Sequence, residues 1–462
     1  MGPAKIYLHS SGCRLNQSEI ESMARQLAAG GHNIVVDATE ADTIILNTCA
    51  VTAEAARDAR NLTRRFHRAN DRAAIVLTGC YATIAPHAIA VLPGVTRVIG
   101  NADKERLPVL IDPAIDPGLP IYEREPLDRE PVTSSVGRTR AFIKVQDGCD
   151  NRCTFCVTTI ARGDSRSRPL GDIVTEVQAF TAAGYQEAVL TGVHLGSYGR
   201  DLGQVTALRD LMAAILDHTD IPRLRLSSLE PWDVAPGFFN LWSNPRLLPH
   251  LHLPLQSGSD RVLRRMARRT SQDEFRALAG AARDAIPDLH LSTDLIAGFP
   301  GETDIEFAET ADFVQELAFG RLHVFSYSPR PGTAAARMAG QVSGPVKKAR
   351  AARLISLGEA LSVEFHRRFE GSIRPVLWET ATGATSDGLR WAGYTDNYIR
   401  VFATGPADLM NQVTPVVLQE ARPEGMTGRI MTMGEGISSA PVRRRQFSAG
   451  SGERDSNRYD EP

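Results

Sequence analysis

Six cysteines are the residues in this sequence best suited to chemistry, and none of them lies beyond residue 156. Cys149, Cys153 and Cys156 have the spacing C-x3-C-x2-C, directly after the strand-like segment AFIKVQDG. Three thiolates on one short loop can bind three irons of a cubane cluster, which leaves the fourth iron open to a cofactor or substrate. The alternative is a zinc knuckle with a remote fourth ligand, because structural zinc normally takes four protein ligands.

The other three cysteines, Cys13, Cys49 and Cys80, are isolated in sequence. They follow the segments KIYLHS, TIILNT and AAIVLTG, which are typical of buried strands. Ligands of open α/β sheets bind beyond the carboxyl ends of the strands, so three distant cysteines can converge there. Each cysteine alone could instead be a small buried hydrophobic residue. Six cysteines are too few for a disulfide scaffold in a chain of 462 residues.

The elements that must position the isolated cysteines lie in residues 4–111. Strand-like segments, including NIVVD, alternate there with helix-like ones, which predicts an N-terminal parallel α/β domain. Residues 16–29 have helical spacing, with Asn16 or Ser18 as the expected N-cap and Gly30 at the expected end. Five prolines among charged residues indicate a linker over 112–135.

The second unit, 136–367, contains six further strand candidates separated by helix-like stretches such as 171–183, 205–217 and 302–318. The strand candidates are AFIKVQ, EAVLTGV, RLRLSSL, HLHLPLQ, HLSTDLI and RLHVFSY. Six β/α units in series predict a partial (β/α)6 TIM barrel, with chemistry at the carboxyl ends of its strands. Residues 345–369 have the pattern of a helix that leads out of this barrel.

Residues 368–420 change character, to short strand-like pieces joined by Gly and Asp turns, which predicts a small all-β barrel. Gly, Ser, Arg and Glu dominate residues 421–462, where we expect a disordered tail. The sequence contains no run of about 18 apolar residues, so no transmembrane helix is predicted. The N-terminus also lacks an apolar export core, so a cytoplasmic protein is expected.

The overall charge of −2 gives no indication of a nucleic-acid partner, but arginines are concentrated in two stretches. These arginines are Arg57, Arg60, Arg64, Arg65, Arg68 and Arg72, then Arg261, Arg264, Arg265, Arg268 and Arg269. Solvated helix faces are the simpler interpretation, and phosphate contacts are the alternative.

The loop GCDNRCTFC, at the start of the six β/α units, resembles the signature of the radical S-adenosylmethionine (SAM) superfamily. The resemblance implies that the open iron binds the amino and carboxylate groups of SAM. One electron from the cluster then cleaves SAM to methionine and a 5′-deoxyadenosyl radical. It also implies a pocket with Phe155 near the adenine, or in ordinary core packing, and with Thr191 and Gly192 near the amino group. Weaker pocket candidates at predicted strand ends are Ser228, Gln256 and Asp294.

The motifs GCRLN, NTC and TGC resemble the N-terminal domain of the methylthiotransferases, in which three separated cysteines bind an auxiliary cubane cluster. The segment WAGYTDNYIRVFA resembles the TRAM module, a small β-barrel that grips RNA. The similarity extends over about residues 4–420, in the domain order of that family. It implies two 4Fe-4S clusters and SAM as cofactors. The first cluster generates the radical, the auxiliary cluster presents or donates sulfur, and a second SAM supplies the methyl group.

Within that family, the segments GCRLNQSE, VQDGCDNRC, ARGDSRSR and LTGVHLGSYG look most like the branch that acts on N6-threonylcarbamoyladenosine at tRNA position 37. Isopentenyladenosine of tRNA and a ribosomal-protein aspartate are the alternative substrates. Thr158-Thr159-Ile160 departs from the apolar-Pro-Tyr run frequent in the family, which can alter the pocket floor. The implied partners are a tRNA anticodon stem-loop and a low-potential electron donor, with no membrane and no DNA.

Two further groups of residues are candidates for RNA contact. One group follows the cysteine loop and suits a phosphate or the threonyl carboxylate, with surface salt bridges as the alternative: Arg162, Arg166 and Arg168. The other lies in the TRAM-like segment and suits base stacking, with core packing as the alternative: Trp391, Tyr394 and Tyr398, near Arg400. A different class of function is a non-catalytic RNA-binding metalloprotein with structural zinc in the cysteine sites.

Overall fold

The computed structural model describes residues 2–115, 139–203 and 207–431. Most of the predicted linker at 112–135 lies outside these residues, as does the predicted tail from residue 432 onward. Among the described helices, none combines the length and the apolar character that crossing a bilayer requires.

The N-terminal domain is built on a five-stranded, all-parallel sheet with the order β2-β1-β3-β4-β5. Its strands are β1 (Lys5–Ser10), β2 (Asn33–Ile34), β3 (Thr43–Thr48), β4 (Ala74–Gly79) and β5 (Val95–Ile99). The predicted parallel α/β domain is thus confirmed. Strand β5 was not predicted, because its central residues, Thr96 and Arg97, are polar and exposed.

Five helices accompany this sheet: α1 (Arg14–Ala29), α2 (Ala53–Ala69), α3 (Cys80–Ile84), α4 (Pro86–Ala90) and α5 (Leu107–Ile111). Helix α1 ends at Gly30 as expected, but its N-cap is Cys13, so the prediction of Asn16 or Ser18 as the cap is wrong. Asn16 instead lies fully buried in the first turn, where its amide donates to the carbonyls of Ser11 and Thr48. Its side chain therefore joins two loops rather than capping the helix.

The central unit contains the six predicted strands, together with one short antiparallel pair, β7 and β8. The strands are β6 (Arg140–Lys144), β7 (Gln146–Asp147), β8 (Arg166–Ser167), β9 (Glu187–Thr191), β10 (Arg223–Leu226), β11 (His250–His252), β12 (His290–Ala297) and β13 (Arg321–Ser326). Two parallel sheets, β10-β9-β6 and β11-β12-β13, are joined by the bridges Leu224–Leu247 and Ser228–His252. The result is a curved wall of six parallel strands, which confirms the partial barrel.

Seven helices surround or leave this wall: α6 (Thr158–Arg162), α7 (Leu170–Ala182), α8 (Ala207–His218), α9 (Asp260–Arg265), α10 (Gln272–Ala285), α11 (Asp304–Leu317) and α12 (Gly344–Arg367). Helices α10 and α11 each begin at a capping box, in which a Ser or Thr side chain and a Glu side chain exchange hydrogen bonds with backbone amides. The largest hydrophobic core of the protein lies between these helices and the strands.

The C-terminal unit is a closed barrel with the strand order β14-β15-β16-β18-β17. Its strands are β14 (Ile373–Thr385), β15 (Gly388–Thr395), β16 (Arg400–Gly405), β17 (Val413–Arg422) and β18 (Gly425–Ile430). The expectation that disorder begins at residue 421 is wrong as far as Ile430. Strand β18 pairs with both β16 and β17, and without it these two strands would be unpaired edges.

The small barrel is attached to the amino ends of the β/α-barrel strands. Arg223, at the start of β10, donates to the carbonyl of Thr395 at 3.0 Å, and Arg225 donates to that of Asp396 at 3.2 Å. The hydroxyl of Tyr398 accepts hydrogen bonds from Arg14 of α1 at 2.6 Å and from Arg140 of β6 at 3.0 Å. All three units of the chain therefore meet at the half-buried phenol of Tyr398.

Candidate functional site

The three isolated cysteines all lie at the carboxyl edge of the N-terminal sheet. Cys13 follows β1, Cys49 directly follows β3, and Cys80 directly follows β4. The pKa of the Cys49 thiol is raised to about 11, mainly by burial and in part by the nearby charges of Cys13 and Cys80. The structure thus brings together three thiols that are more than 30 residues apart in sequence.

Glycines allow the loops that carry these thiols to approach one another. Gly12 has a φ of +107°, and a Cβ there would lie 2.4 Å from Cβ and 2.9 Å from Sγ of Cys49. Gly79 has a φ of +96°, and a Cβ there would lie 2.4 Å from the carbonyl oxygen of Thr48. Heavy-atom contacts this short do not occur, so the arrangement of the three loops requires glycine at both positions.

Two asparagines contact the thiols from the protein side. The Cys13 Sγ lies 3.6 Å from Oδ1 of Asn16. The amide of Asn101 lies 3.7 Å from the Cys80 Sγ and donates to the carbonyl of Ala161 at 2.7 Å. The Asn101 amide can donate to a ligating sulfur, and such hydrogen bonds orient the ligand and tune the potential of a bound cluster. Oδ1 of Asn16 can only accept, so it contacts the protonated thiol of Cys13 and gives no hydrogen bond to a ligating thiolate. Asn101 was not predicted, because nothing in the local sequence distinguishes it from other surface-loop asparagines.

The second group, Cys149, Cys153 and Cys156, lies on the loop between β7 and α6. Burial raises the pKa of Cys149 to about 12, and the charges of Cys156 and Cys153 contribute in the same direction. The backbone amide of Cys149 donates to the carbonyl of Gly163 at 3.0 Å, which folds the loop back on itself. The three thiols therefore lie near one another beyond the carboxyl end of the first barrel strand.

Arg268 contacts this loop from the opposite wall of the barrel. Its guanidinium lies 3.9 Å from the Cys153 Sγ and donates to Glu230 at 2.7 Å, and its carbon Cζ lies 4.5 Å from the ring centre of Trp232. Arg268 belongs to a run for which a solvated helix face was expected, with phosphate contacts as the alternative. Its side chain is 1% exposed and pairs with Glu230 inside the protein, so both interpretations are wrong for this residue.

A histidine–aspartate pair contacts the same loop. His194 Nε2 lies 2.5 Å from Oδ2 of Asp233, whose other oxygen accepts from Arg200 at 2.6 Å. The amide of Asn151, between the first two cysteines of the loop, lies 3.3 Å from the same imidazole. His194 was not predicted as a site residue, because its contact with the loop depends on the fold, which places the end of β9 beside the cysteines.

The other expected pocket residues lie near this loop to different degrees. Phe155 packs against the hydrophobic cluster that contains Phe299 and Tyr327, and Thr191 ends β9. A Cβ at Gly192 would lie 2.9 Å from Oε1 of Gln146, so the chain is closely packed at that strand end.

The remaining three candidates are spread along neighbouring strands. Ser228 is exposed and forms an isolated parallel β-bridge with His252. The backbone amide of Gln256 donates to the backbone carbonyl of Asp294 at 2.8 Å. Asp294 lies within β12 rather than at its end, which corrects the prediction, because β12 extends to Ala297. Its carboxylate lies 3.3 Å from Nε2 of His252, inside the barrel wall.

The two groups of thiols are connected through the buried side chain of Arg162. Its guanidinium donates to Glu19 and Asp147, both at 2.8 Å, and to Oδ1 of Asn16 at 2.7 Å. Glu19 also accepts from Lys104 at 2.6 Å, and these cations hold its pKa well below the usual range despite burial. The expectation that Arg162 contacts RNA is wrong, because its side chain is 2% exposed and its donors serve these carboxylates.

The other candidates for RNA contact divide in the same way. Arg168 pairs with Glu176 at 2.6 Å, whereas the side chain of Arg166 is 57% exposed. Trp391 is buried in the core of the small barrel. Tyr398 is half-buried at the interface with the β/α barrel, where Tyr394 stacks on it with 4.7 Å between the ring centroids. Core and interface packing, not base stacking, therefore accounts for Trp391 and Tyr398.

The donor sets fit two iron–sulfur clusters. Each consists of three free thiols, a soft-sulfur set that suits iron–sulfur chemistry and would leave one iron of a four-iron cluster without a cysteine ligand. Within the described ranges, no three His, Cys, Asp or Glu side chains converge on a position for a single metal ion. The arrangement can therefore hold two cofactors with open coordination positions, one on each side of the Arg162 network.

Comparisons with known proteins give independent information on both units. Residues 5–100 match the family described as Uncharacterized protein family UPF0004, and residues 143–314 match the Radical SAM superfamily. The chain is 35% identical to the threonylcarbamoyladenosine tRNA methylthiotransferase MtaB of Bacillus subtilis, over 90% of this chain and 94% of that protein. It is 38% identical to the MtaB of Thermotoga maritima, over 86% of this chain and 90% of that protein.

A more distant relative is the tRNA-2-methylthio-N(6)-dimethylallyladenosine synthase of Bacillus subtilis, at 32% identity over 94% of this chain and 86% of that protein. Among solved structures, the radical S-adenosylmethionine methyltransferase TsrM from Kitasatospora setae superposes with a TM-score of 0.54. The superposition covers 72% of this chain and 77% of that chain at 16% identity, so it supports the fold alone.

Proposed function

The chain belongs to the radical SAM methylthiotransferase family, and from this premise we propose that it converts N6-threonylcarbamoyladenosine at tRNA position 37 to its 2-methylthio derivative. It is an enzyme that transfers a methylthio group. The proposed substrate is supported by the relatives at 35% and 38% identity, which are named for that nucleoside, whereas the relative named for dimethylallyladenosine is 32% identical.

The observation that carries the proposal is the contact between the two helices that adjoin the cysteine sites. Helix α6, which begins two residues after Cys156, packs against α3, which begins at Cys80. Ala161 of α6 belongs to the hydrophobic core of the N-terminal domain, and its carbonyl accepts from Asn101. Replacement of an aromatic C–H by S–CH3 needs a radical and a sulfur atom at one carbon, so the two sites must open onto a shared space.

When bound, two 4Fe-4S clusters and SAM supply the radical, the sulfur and the methyl group. We assign one cluster to Cys149, Cys153 and Cys156 and the auxiliary cluster to Cys13, Cys49 and Cys80. The chain's own contribution is to fix the ligands. The His194–Asp233 pair orients the loop through Asn151, and Arg268 places a positive charge 3.9 Å from Cys153. Phe155 packs beside the loop against the apolar cluster that contains Phe299 and Tyr327.

Substrate binding is assigned to the small C-terminal barrel as an RNA-gripping TRAM module. This assignment is supported by the resemblance of WAGYTDNYIRVFA and by the exposed, positively charged Arg390 on β15. Arg166, exposed beside the cysteine loop, is a second candidate for phosphate contact. We expect the partners to be a tRNA anticodon stem-loop and a low-potential electron donor, both in the cytoplasm.

The decisive experiment is mass spectrometry of tRNA nucleosides from a strain that lacks this protein. We expect 2-methylthio-N6-threonylcarbamoyladenosine to disappear, its unmethylthiolated precursor to accumulate, and a plasmid copy of the gene to restore the product. An unchanged nucleoside profile would refute the proposed substrate. Assays on tRNA that carries isopentenyladenosine, and on ribosomal protein, test the two alternatives.

Metal analysis separates this function from a zinc-containing RNA-binding protein. The protein reconstituted without oxygen should hold about eight irons and a matching amount of sulfide per chain, since each cluster contains four of each. Zinc without sulfide would contradict both cluster assignments.

A further inference from the structure

Arg330 is a buried arginine beyond the carboxyl end of β13 that lacks expected hydrogen bonds. The residue is 9% exposed, and its Nε and Nη2 atoms have no hydrogen-bond partner in the part of the chain that the structure describes. Burial lowers its pKa, but an arginine stays charged at neutral pH. A guanidinium taken out of water needs an acceptor, because burial of an uncompensated charge is costly. The two free donors therefore indicate an anion that binds there.

The backbone holds this arginine beside the SAM-binding loop. The Arg330 carbonyl accepts from the amide and the hydroxyl of Thr333, which forms a tight turn. Two residues further on, the amide of Ala335 donates at 2.9 Å to the carbonyl of Thr154, which lies between the last two cysteines of that loop. A Cβ at Gly332 would lie 2.9 Å from Ile160 of α6, so this turn also touches the helix that joins the two sites.

The turn that carries Arg330 contacts α6, and α6 packs against α3, which begins at the auxiliary-site residue Cys80. The charges of Glu54, Cys49 and Tyr81 oppose the lowering of the Arg330 pKa by burial, and all three residues belong to the N-terminal domain. Glu54 is exposed to solvent, and the hydroxyl of Tyr81 already accepts from Arg60 at 2.6 Å. Cys49 is a proposed ligand of the auxiliary cluster. Arg330 of the β/α barrel therefore lies near the cysteine triad of the N-terminal domain.

We propose that Arg330 binds the anionic sulfur ligand, hydrosulfide or methylthiolate, that the open iron of the auxiliary cluster carries. The inference rests on the proposed function, which requires such a ligand. A small anion fits a buried site better than a phosphate of the RNA backbone does, and a guanidinium forms strong, directed hydrogen bonds to anionic acceptors. Arg162 cannot serve instead, because its donors are used by Glu19, Asp147 and Asn16.

Arg330 is accordingly a positioning residue. It acts on the sulfur that is to be transferred and not on SAM. Its N–H groups fix the direction of the ligand lone pairs and favour the deprotonated ligand, while Cys13, Cys49 and Cys80 hold the cluster. Loss of Arg330 should therefore weaken sulfur-ligand binding without changing the SAM site.

The test uses full-length protein in which Cys149, Cys153 and Cys156 are replaced by Ala, so that only the auxiliary cluster can assemble. Sodium methanethiolate is titrated into the reduced protein, and binding is followed by electron paramagnetic resonance at equal iron content. Arg330→Gln should bind methanethiolate about ten- to a hundredfold more weakly, the range expected for lost hydrogen bonds to a charged acceptor. Arg330→Lys should recover part of this loss. Exposed Arg337, seven residues along, provides the matched control Arg337→Gln, which should bind like the parent protein.

The same substitutions in the chain with all six cysteines complete the test. Arg330→Gln should cleave SAM at the parental rate and bind tRNA with parental affinity. Unchanged methanethiolate affinity in Arg330→Gln would overturn the inference, and a simultaneous loss of tRNA affinity would assign the guanidinium to the RNA. If Arg330→Gln fails to assemble the cluster, the methanethiolate affinity of Arg330→Lys is the test instead. Parental affinity in Arg330→Lys would show that the directed hydrogen bonds of a guanidinium are not needed, and it would overturn the inference. Methanethiolate binding involves no tRNA, so failure of the proposed nucleoside substrate would be seen separately.

Discussion

Arg162 and Glu19 form a buried ion pair across the boundary between the β/α barrel and the N-terminal domain, with 2.8 Å between Nη1 and Oε1. The arginine lies six residues after Cys156, and the carboxylate lies six residues after Cys13. One ion pair therefore sets the placement of one cysteine site relative to the other.

Arg162→Ala should destabilise the protein by about 3–5 kcal/mol, because it leaves Glu19 and Asp147 buried with fewer positive partners. Urea unfolding followed by circular dichroism measures this loss. Arg166→Ala, four residues along and 57% exposed, is the control and should change stability by no more than about 0.5 kcal/mol. Equal stability of the two variants would mean that the ion pair does not hold the domains together.

Replacement of any one of Cys149, Cys153 and Cys156 by Ala should abolish 5′-deoxyadenosine formation under reducing conditions, because an incomplete triad cannot hold the cluster that binds SAM. Replacement of Cys13, Cys49 or Cys80 should leave SAM cleavage intact and abolish the methylthiolated product. Chromatography of the reaction mixture measures both products. Persistent 5′-deoxyadenosine in the first set, or normal methylthiolation in the second, would contradict the respective assignment.

Gly12→Ala should prevent assembly of the auxiliary cluster and spare the other, because the added Cβ would collide with Cys49. Iron content should fall from about eight to about four per chain. Gly31→Ala is the control, since Gly31 also has a positive φ, of +89°, but nothing lies within 4 Å of an added Cβ. The comparison separates the collision from backbone strain. Full iron loading of Gly12→Ala would show that the loops can move apart.

The burial of His290 in its neutral form predicts that acid weakens the contact between the two barrels. Burial lowers its pKa to about 3, the nearby charge of His366 acts in the same direction, and its Nδ1 lies 3.0 Å from the carbonyl oxygen of Asn397. Below its ordinary pKa of 6.5, the unfolded chain binds a proton that the folded chain excludes, so stability falls as the pH drops from about 6.5 toward about 3. His250 and His366, both with lowered pKa values, add to this trend.

Between about pH 7 and about pH 5, the contribution of His290 amounts to roughly 2 kcal/mol. His290→Gln should therefore lose less stability over this interval than the parent protein does, as measured by urea unfolding at each pH. Cluster loss in acid affects both proteins alike, so the difference between them isolates the histidine. Parallel pH profiles would rule out a buried neutral His290.

The sequence was sufficient to predict the six cysteines as chemical groups and the six barrel strands, because spacing and hydrophobic runs are local properties. It was not sufficient for Arg162 and Arg268. A run of arginines looks the same whether it faces water or buried carboxylates, and only the fold brought Glu19 and Glu230 to them. Arg330 was not predicted as a site residue, because whether a buried side chain lacks a hydrogen-bond partner depends on the three-dimensional structure.

The C-terminal barrel illustrates a second limit of local patterns. Strand β18 is rich in glycine and polar residues, and its place in the barrel depends on pairing with β16 and β17 rather than on its own hydrophobicity. Likewise, the alternation of residues along β15 could not show that Trp391 points into the barrel core.

The attachment of the small barrel sets a distance between that barrel and the two cysteine sites. That barrel is fixed to the amino ends of the strands through Arg223, Arg225 and Tyr398, whereas both cysteine sites lie beyond carboxyl ends. A six-residue strand such as β13 spans roughly 20 Å. If the small barrel binds RNA as proposed, that RNA must extend at least this distance to present a nucleotide to the cysteine sites, and the length of the folded stem then becomes a criterion of selection beside the base at its tip.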